Sequence, residues 1–222
     1  TKFRPGNFRL FFSTLIKAYK VALACEQTDA EIVTIYETKN GALIPFFRIL
    51  NPSIYLNFCF YADIYKDNDF YKKNKLWFEQ VFTLCNKSFS SSSYCAKSAH
   101  QITQKIEPYV IYIGVNTSRF KPVDSIADAR KKLQLPLDKK LVLSVSRMEP
   151  EMGILDVLKI TDHLQNIEEI VFIIAGSSGS LTTHVEEKAK ESKGRVISRI
   201  NVPYDLLPDY YQASDLMIAP TV

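Results

Sequence analysis

Two apolar, β-branched runs in the second half of the chain, 141–145 (LVLSV) and 170–175 (IVFIIA), with a more polar strand at 195–202 (RVISRINV), decide what it can fold into. Each is followed by a segment of helical periodicity. These are 154–165, where Ile154, Val157, Leu158 and Leu164 share one face, then 181–192 and 204–213. A strand that alternates with helices of this length returns parallel to its predecessor. A parallel sheet is covered on both faces, so its strands read as nearly continuous apolar runs. The pattern predicts an α/β fold of right-handed βαβ units, with a last strand in DLMIAP, 215–220.

The first half follows the same logic less regularly. The residues predict a helix over 8–25, a strand over 31–36 and a helix over 40–50. A strand then begins at 53, with a helix over 67–84. The serine-rich stretch 86–102 reads as a short strand at 88–91, with Ser92 or Ser93 capping the next helix. A strand over 109–113 ends at Gly114. The polar run 114–122 (GVNTSRFKP) closes on Pro122 and reads as a crossing between domains, followed by a short helix over 125–135. This gives domains of 1–120 and 121–222.

Of the 222 residues 46% are hydrophobic and 23% charged, enough for one large domain or two small ones. A net charge of +4 with scattered lysines suits an anionic ligand or surface but not nucleic acid. The four cysteines form no C-x-x-C pair and the three histidines are dispersed. The expectation is therefore free thiols, no metal and a reducing, cytoplasmic setting. Neither a secretory leader nor an uncharged run long enough to span a bilayer is visible.

In open parallel sheets ligands bind beyond the carboxyl ends of the strands. Strand 141–145 runs into Ser146 and Arg147, turns through Pro150 to Gly153, and a helix begins at Ile154. A guanidinium grips phosphate oxygens bidentately. A glycine allows close backbone approach, and a helix N-terminus offers free N–H groups. Together they suit a diphosphate; the alternative is surface pairing of Arg147 with Glu149 or Glu151. The turn AGSSGS, 175–180, is a second small-residue loop on the same edge. It is neither G-x-G-x-x-G nor a P-loop, and a tight packing turn is its plain alternative. An NAD-dependent oxidoreductase would need the missing third glycine.

Taken together, residues 108–221 resemble the group 1 retaining glycosyltransferases, which have two Rossmann-like domains in the GT-B fold. The resemblance rests on GVNTSRFKP, LVLSVSRMEPEMGILDVL, VFIIAGSSG and VPYDLLPDYYQASDLMIAPT, in that order. Residues 1–107 resemble, more loosely, the later part of that family's acceptor-side domain. The resemblance implies two open parallel sheets facing each other across a cleft, both incomplete here. It further implies transfer of a sugar from a nucleotide-diphosphate donor to a glycan or lipid-linked acceptor, with retained configuration and no separate cofactor. Arg147 falls on the family's diphosphate arginine and Gly153 on its turn. Met152 takes the place of the usual lysine. Gly176, Ser177 and Val202 fall beside the nucleotide. Phe60 stands where relatives often carry a histidine, which leaves Asp63 as the nearby polar group and candidate catalytic residue.

The family's glycine-rich loop would precede Thr1 and its glutamate pair would follow Val222, so this stretch alone is expected to be inactive. The rival reading is a non-catalytic binding or scaffolding subunit with the same fold. Helix 8–25, with Arg4, Arg9, Lys17 and Lys20 around an aromatic-rich face, suits either a membrane surface or the cover of the first sheet.

Overall fold

A computed structural model of the chain describes residues 5–60, 75–104 and 107–220, without side chains at 5–10, 38, 39 and 102. It divides into two compact units, Thr1–Gly114 and Val115–Val222. Both are built on parallel sheets, as the alternation predicts.

In the first unit β1 (Ile32–Tyr36), β2 (Tyr55–Phe60), β3 (Lys87–Ser90) and β4 (Tyr109–Val110) lie side by side in chain order, all parallel. The helices described between and before them are α1 (Pro5–Thr28), α2 (Ile44–Leu50), α3 (Lys75–Thr83) and α4 (Ser93–Ile102). Strand alternation sends Leu56, Phe58 and Phe60 of β2 into one core, where the Phe82 ring of α3 meets Phe58 at 5.5 Å and Phe60 at 5.4 Å. Helix α1 joins this core through the small side Ala18–Ala22–Cys25, so part of its apolar surface covers the sheet. Phe12, Ile16, Tyr19 and Leu23 stay exposed. Among the described residues no helix is long and apolar enough to cross a membrane.

Several predicted elements are shorter than their apolar runs. Strand 109–113 stops at Val110 because β3 ends at Ser90. Only Phe89↔Tyr109 and Ser90↔Val110 can pair, with one further bond from Ile111 N to Ser90 O. Helix 40–50 splits into a 3-10 turn, Thr38–Leu43, and α2. Pro45 in the first turn of α2 lacks an N–H, and its ring would meet the carbonyl four residues back, so an α-helix cannot run through it. Of helix 67–84 the part from Lys75 is described. Ser92 is the N-cap of α4 and its hydroxyl accepts from Cys95 N at 3.2 Å.

The second unit contains α5 (Ile126–Lys132), β5 (Lys140–Val145), α6 (Ile154–His163), β6 (Ile170–Gly176), α7 (Thr182–Glu191), β7 (Val196–Ile200), α8 (Leu207–Ala213) and β8 (Leu216–Met217). Its parallel sheet has the order β7-β6-β5-β8. Leu141, Leu143, Val171 and Ile173 face a cluster with Ala129, Tyr210 and Ala213. Val142, Phe172 and Ile174 face the other, with Ile154, Val157, Leu158 and Val185. Two buried faces are the reason these strands read as continuous apolar runs.

The last strand is only two residues long and is fastened by charge. The Asp215 carboxylate accepts from Leu141 N at 2.7 Å and from the Arg130 guanidinium at 2.6 Å. Arg130 is itself buried and donates to Ala213 O, Leu137 O and Lys139 O. Partial burial pushes the Asp215 pKa up, but the Leu141 N–H and Arg130 outweigh it and hold the carboxyl below its ordinary range.

Candidate functional site

The strand order of the second unit reverses beside β5. Its chain successors β6 and β7 lie on one side and β8 on the other, which is where open α/β sheets form a ligand crevice. The predicted strand-to-helix turn leaves β5 at that point. Arg147 is the first charged residue past the strand, with a side chain 59% exposed and, among the described residues, one long ion-pair contact, 3.5 Å, to Glu151. The surface pair anticipated as the alternative is therefore present. Such an exposed pair four residues apart contributes about 0.3–0.5 kcal/mol, too little to fix the guanidinium against a competing anion.

Pro150–Met152 forms a single 3-10 turn, and Gly153 follows in the left-handed region at φ 70°. A Cβ there would lie 1.9 Å from the carbonyl oxygen of Pro220. The close approach that requires glycine is thus to the chain just past β8. Gly153 O receives the N–H groups of Asp156 and Val157, which starts α6. Met152 is half-buried and packs against the cluster that includes Met148, Ile154 and Val157. Around the turn, residues 147–159 hold two cations, Arg147 and Lys159, against the carboxylates of Glu149, Glu151 and Asp156. Lys159 is paired with Asp156 at 2.8 Å.

The second loop is locked to the first. Met148 is fully buried; its N–H donates to Ser177 O at 3.0 Å and its carbonyl accepts from Leu181 N at 2.8 Å. Glu149 accepts from Ser180 N at 3.2 Å and from Ser180 Oγ at 2.5 Å. The Ser180 hydroxyl, its N–H and the nearby Arg147 hold the Glu149 carboxyl below its ordinary range. Gly176 ends β6 with φ 141°, and a Cβ there would lie 1.8 Å from Ser146 O. Its carbonyl accepts from Asn201 N at 2.6 Å and Val202 N at 3.4 Å, while Asn201 Oδ1 accepts from Ser178 N. Val202 is half-buried against the cluster under β5 and β6, and Ser177 is exposed.

Arg147, Met152, Gly153, Gly176, Ser177 and Val202 thus belong to three strand-end loops of one sheet, bonded to one another. Glu149, Ser180 and Asn201, which bond these loops across 23 to 31 positions, carry no sequence signal, since the partners share no periodicity. In the first unit Phe60 points into the core, so its side chain cannot present to a ligand. Asp63 lies outside the described residues. Among the described residues no group of three or more His, Cys, Asp or Glu is placed to hold a metal, and all four cysteines are free.

The model of the glycosyl transferases group 1 family matches residues 125–222, which hold all three loops. Over these residues the chain is similar to the group 1 glycosyl transferases. A Bacillus subtilis glycosyltransferase named for teichuronic acid biosynthesis is 27% identical over 148 residues, 64% of this chain and 36% of that protein. Among solved structures, sucrose-phosphate synthase from Thermosynechococcus elongatus covers the whole chain with a TM-score of 0.75 at 16% identity; the match spans 57% of its length. Anabaena HepE in complex with UDP and glucose covers 92% of the chain and 56% of its own, with a TM-score of 0.70 and 16% identity. The two parallel sheets are those of the GT-B glycosyltransferase fold. The chain spans little more than a third of the B. subtilis relative and about 57% of the synthase.

Proposed function

We propose that the second unit carries the donor site of a retaining, nucleotide-sugar-dependent hexosyltransferase. The diphosphate would lie at the end of β5 against Arg147, and the nucleotide beside Gly176, Ser177 and Val202. The observation that carries this reading is the reversal of strand order beside β5, because Arg147 and the start of α6 both lie there. An exposed arginine with one weak contact can turn to a diphosphate at small cost. The UDP and glucose of the HepE structure are of the same ligand class. The acceptor would be a glycan or lipid-linked saccharide. The donor would be the only nucleotide needed, with no separate cofactor.

The setting would be the cytoplasm, with peripheral contact at the membrane face. Helix α1 supports that contact, since it leaves Phe12, Ile16, Tyr19 and Leu23 outward and has Lys17 and Lys20 with no acid before Glu26.

A second reading, a non-catalytic subunit, draws on two observations: Phe60 is spent on the core, and the turn of 147–159 has more carboxylates than cations. Both also support the proposal that these residues alone are inactive. Titration calorimetry of the chain with UDP and GDP tests the donor reading. Binding by one of them, lost in Arg147→Ala, is the expected result. Equal heats from the chain and Arg147→Ala would end it.

A further inference from the structure

The run GVNTSRFKP does more than lead into α5. Asn116 builds a turn: its carbonyl accepts from Arg119 N at 3.1 Å and Phe120 N at 2.9 Å, and its Oδ1 accepts from Ser118 N at 3.1 Å. This turn presents Arg119 and Phe120 to a segment more than 80 positions later. Arg119 pairs with Asp205, and its guanidinium also sits 4.8 Å from the centre of the Tyr204 ring. Phe120 lies 5.9 Å from both Tyr204 and Tyr211. Gln212 donates to Lys121 O at 2.9 Å. An open cavity of about 590 Å³ lies along this cluster, lined in part by Val115, Pro122 and Pro208.

What the cluster grips is the short connection between β7 and α8. Asn201 and Val202 begin it, and Tyr204–Leu206 is one 3-10 turn whose residues are exposed. From the sheet side it is held by Asn201 N and Val202 N on Gly176 O. We infer that Arg119 and Phe120 are positioning residues for the donor's base: by clamping Tyr204 and Asp205 they hold Val202 and its neighbours in the conformation the base meets. The inference rests on the donor reading above. An exposed connection left loose must be ordered on binding, and a clamp made beforehand removes that cost. A single exposed ion pair would do little, but here one guanidinium serves both a carboxylate and a ring, and a second ring packs beside it.

The test is calorimetry of the full chain with UDP and, separately, inorganic pyrophosphate, in Arg119→Ala, Arg119→Lys and Phe120→Ala. Arg119→Ala and Phe120→Ala are expected to weaken UDP about tenfold, the effect of one or two groups left to be ordered on binding. Pyrophosphate affinity should not change, and Arg119→Lys should recover most of the UDP affinity because it keeps the charge. Equal loss for UDP and pyrophosphate would show a clamp that merely supports the fold, and overturns the inference. Unchanged UDP binding in both alanine variants overturns it too, while leaving the donor reading intact. If the unsubstituted chain binds neither ligand, the donor reading itself fails and the inference with it.

Discussion

Gly153→Ala isolates the approach between the β5 turn and the chain past β8. Two costs add. An L-residue in the left-handed region pays about 1–2 kcal/mol. A Cβ 1.9 Å from Pro220 O also has to push backbone aside by more than an ångström, since the obstacle is not a flexible side chain. Overpacking of that kind costs about 1–3 kcal/mol. The total is about 2–5 kcal/mol, which for a unit of this size lowers the melting temperature by roughly 10–20 °C. Two other glycines calibrate the result. Gly194 has φ 88° with open space around it, so Gly194→Ala carries the backbone cost alone; Gly114 has neither positive φ nor neighbours within 4 Å, so Gly114→Ala should be near neutral. Thermal unfolding followed by circular dichroism ranks the three. If Gly153→Ala melts no lower than Gly194→Ala, the approach to Pro220 is not what holds the turn.

Met152→Lys adds a third cation to the turn and should tighten UDP or GDP roughly tenfold or more, the value of one charge-assisted contact of about 1.5–3 kcal/mol, measured by calorimetry. Asp215→Asn should cost about 3 kcal/mol in urea unfolding, because it leaves the buried Arg130 without its carboxylate. The lowered Asp215 pKa sets the sign of the pH dependence: its contribution is full above the ordinary carboxylate range and is lost as pH falls through the folded-state value. Acid titration of stability should therefore fall more steeply in the unsubstituted chain than in Asp215→Asn. Ser92→Ala removes the cap on Cys95 N and should cost about 1 kcal/mol in the same unfolding assay.

The strands of the second unit were legible because burial on both faces leaves no polar phase, as at 141–145 and 170–175. Their ends were not. Ile111, Tyr112 and Ile113 have the same propensity as Tyr109, and only the length of β3 decides where pairing stops. The Ser92 cap was legible, being local. At the candidate site the strand-end arginine and the turn glycine follow from spacing. The obstacle facing Gly153 is contributed 67 positions later by Pro220, so its partner could not be read. The inward phase of Phe60 follows from Leu56 and Phe58 only once the register of β2 is known.

The place of β8 has a kinetic consequence. β5 and β6 can pair once the helix between them exists, but β8 must cross to the far side of β5 and brings Asp215 with it. At roughly 5–20 residues per second on the ribosome, β5 waits for seconds with an open edge and Arg130 lacks its carboxylate. An open edge of this sequence, LVLSV, is a template for any other extended strand, including the β8 segment of a neighbouring nascent copy. The newborn second unit is therefore most prone to exchange strands or aggregate just before its shortest strand arrives.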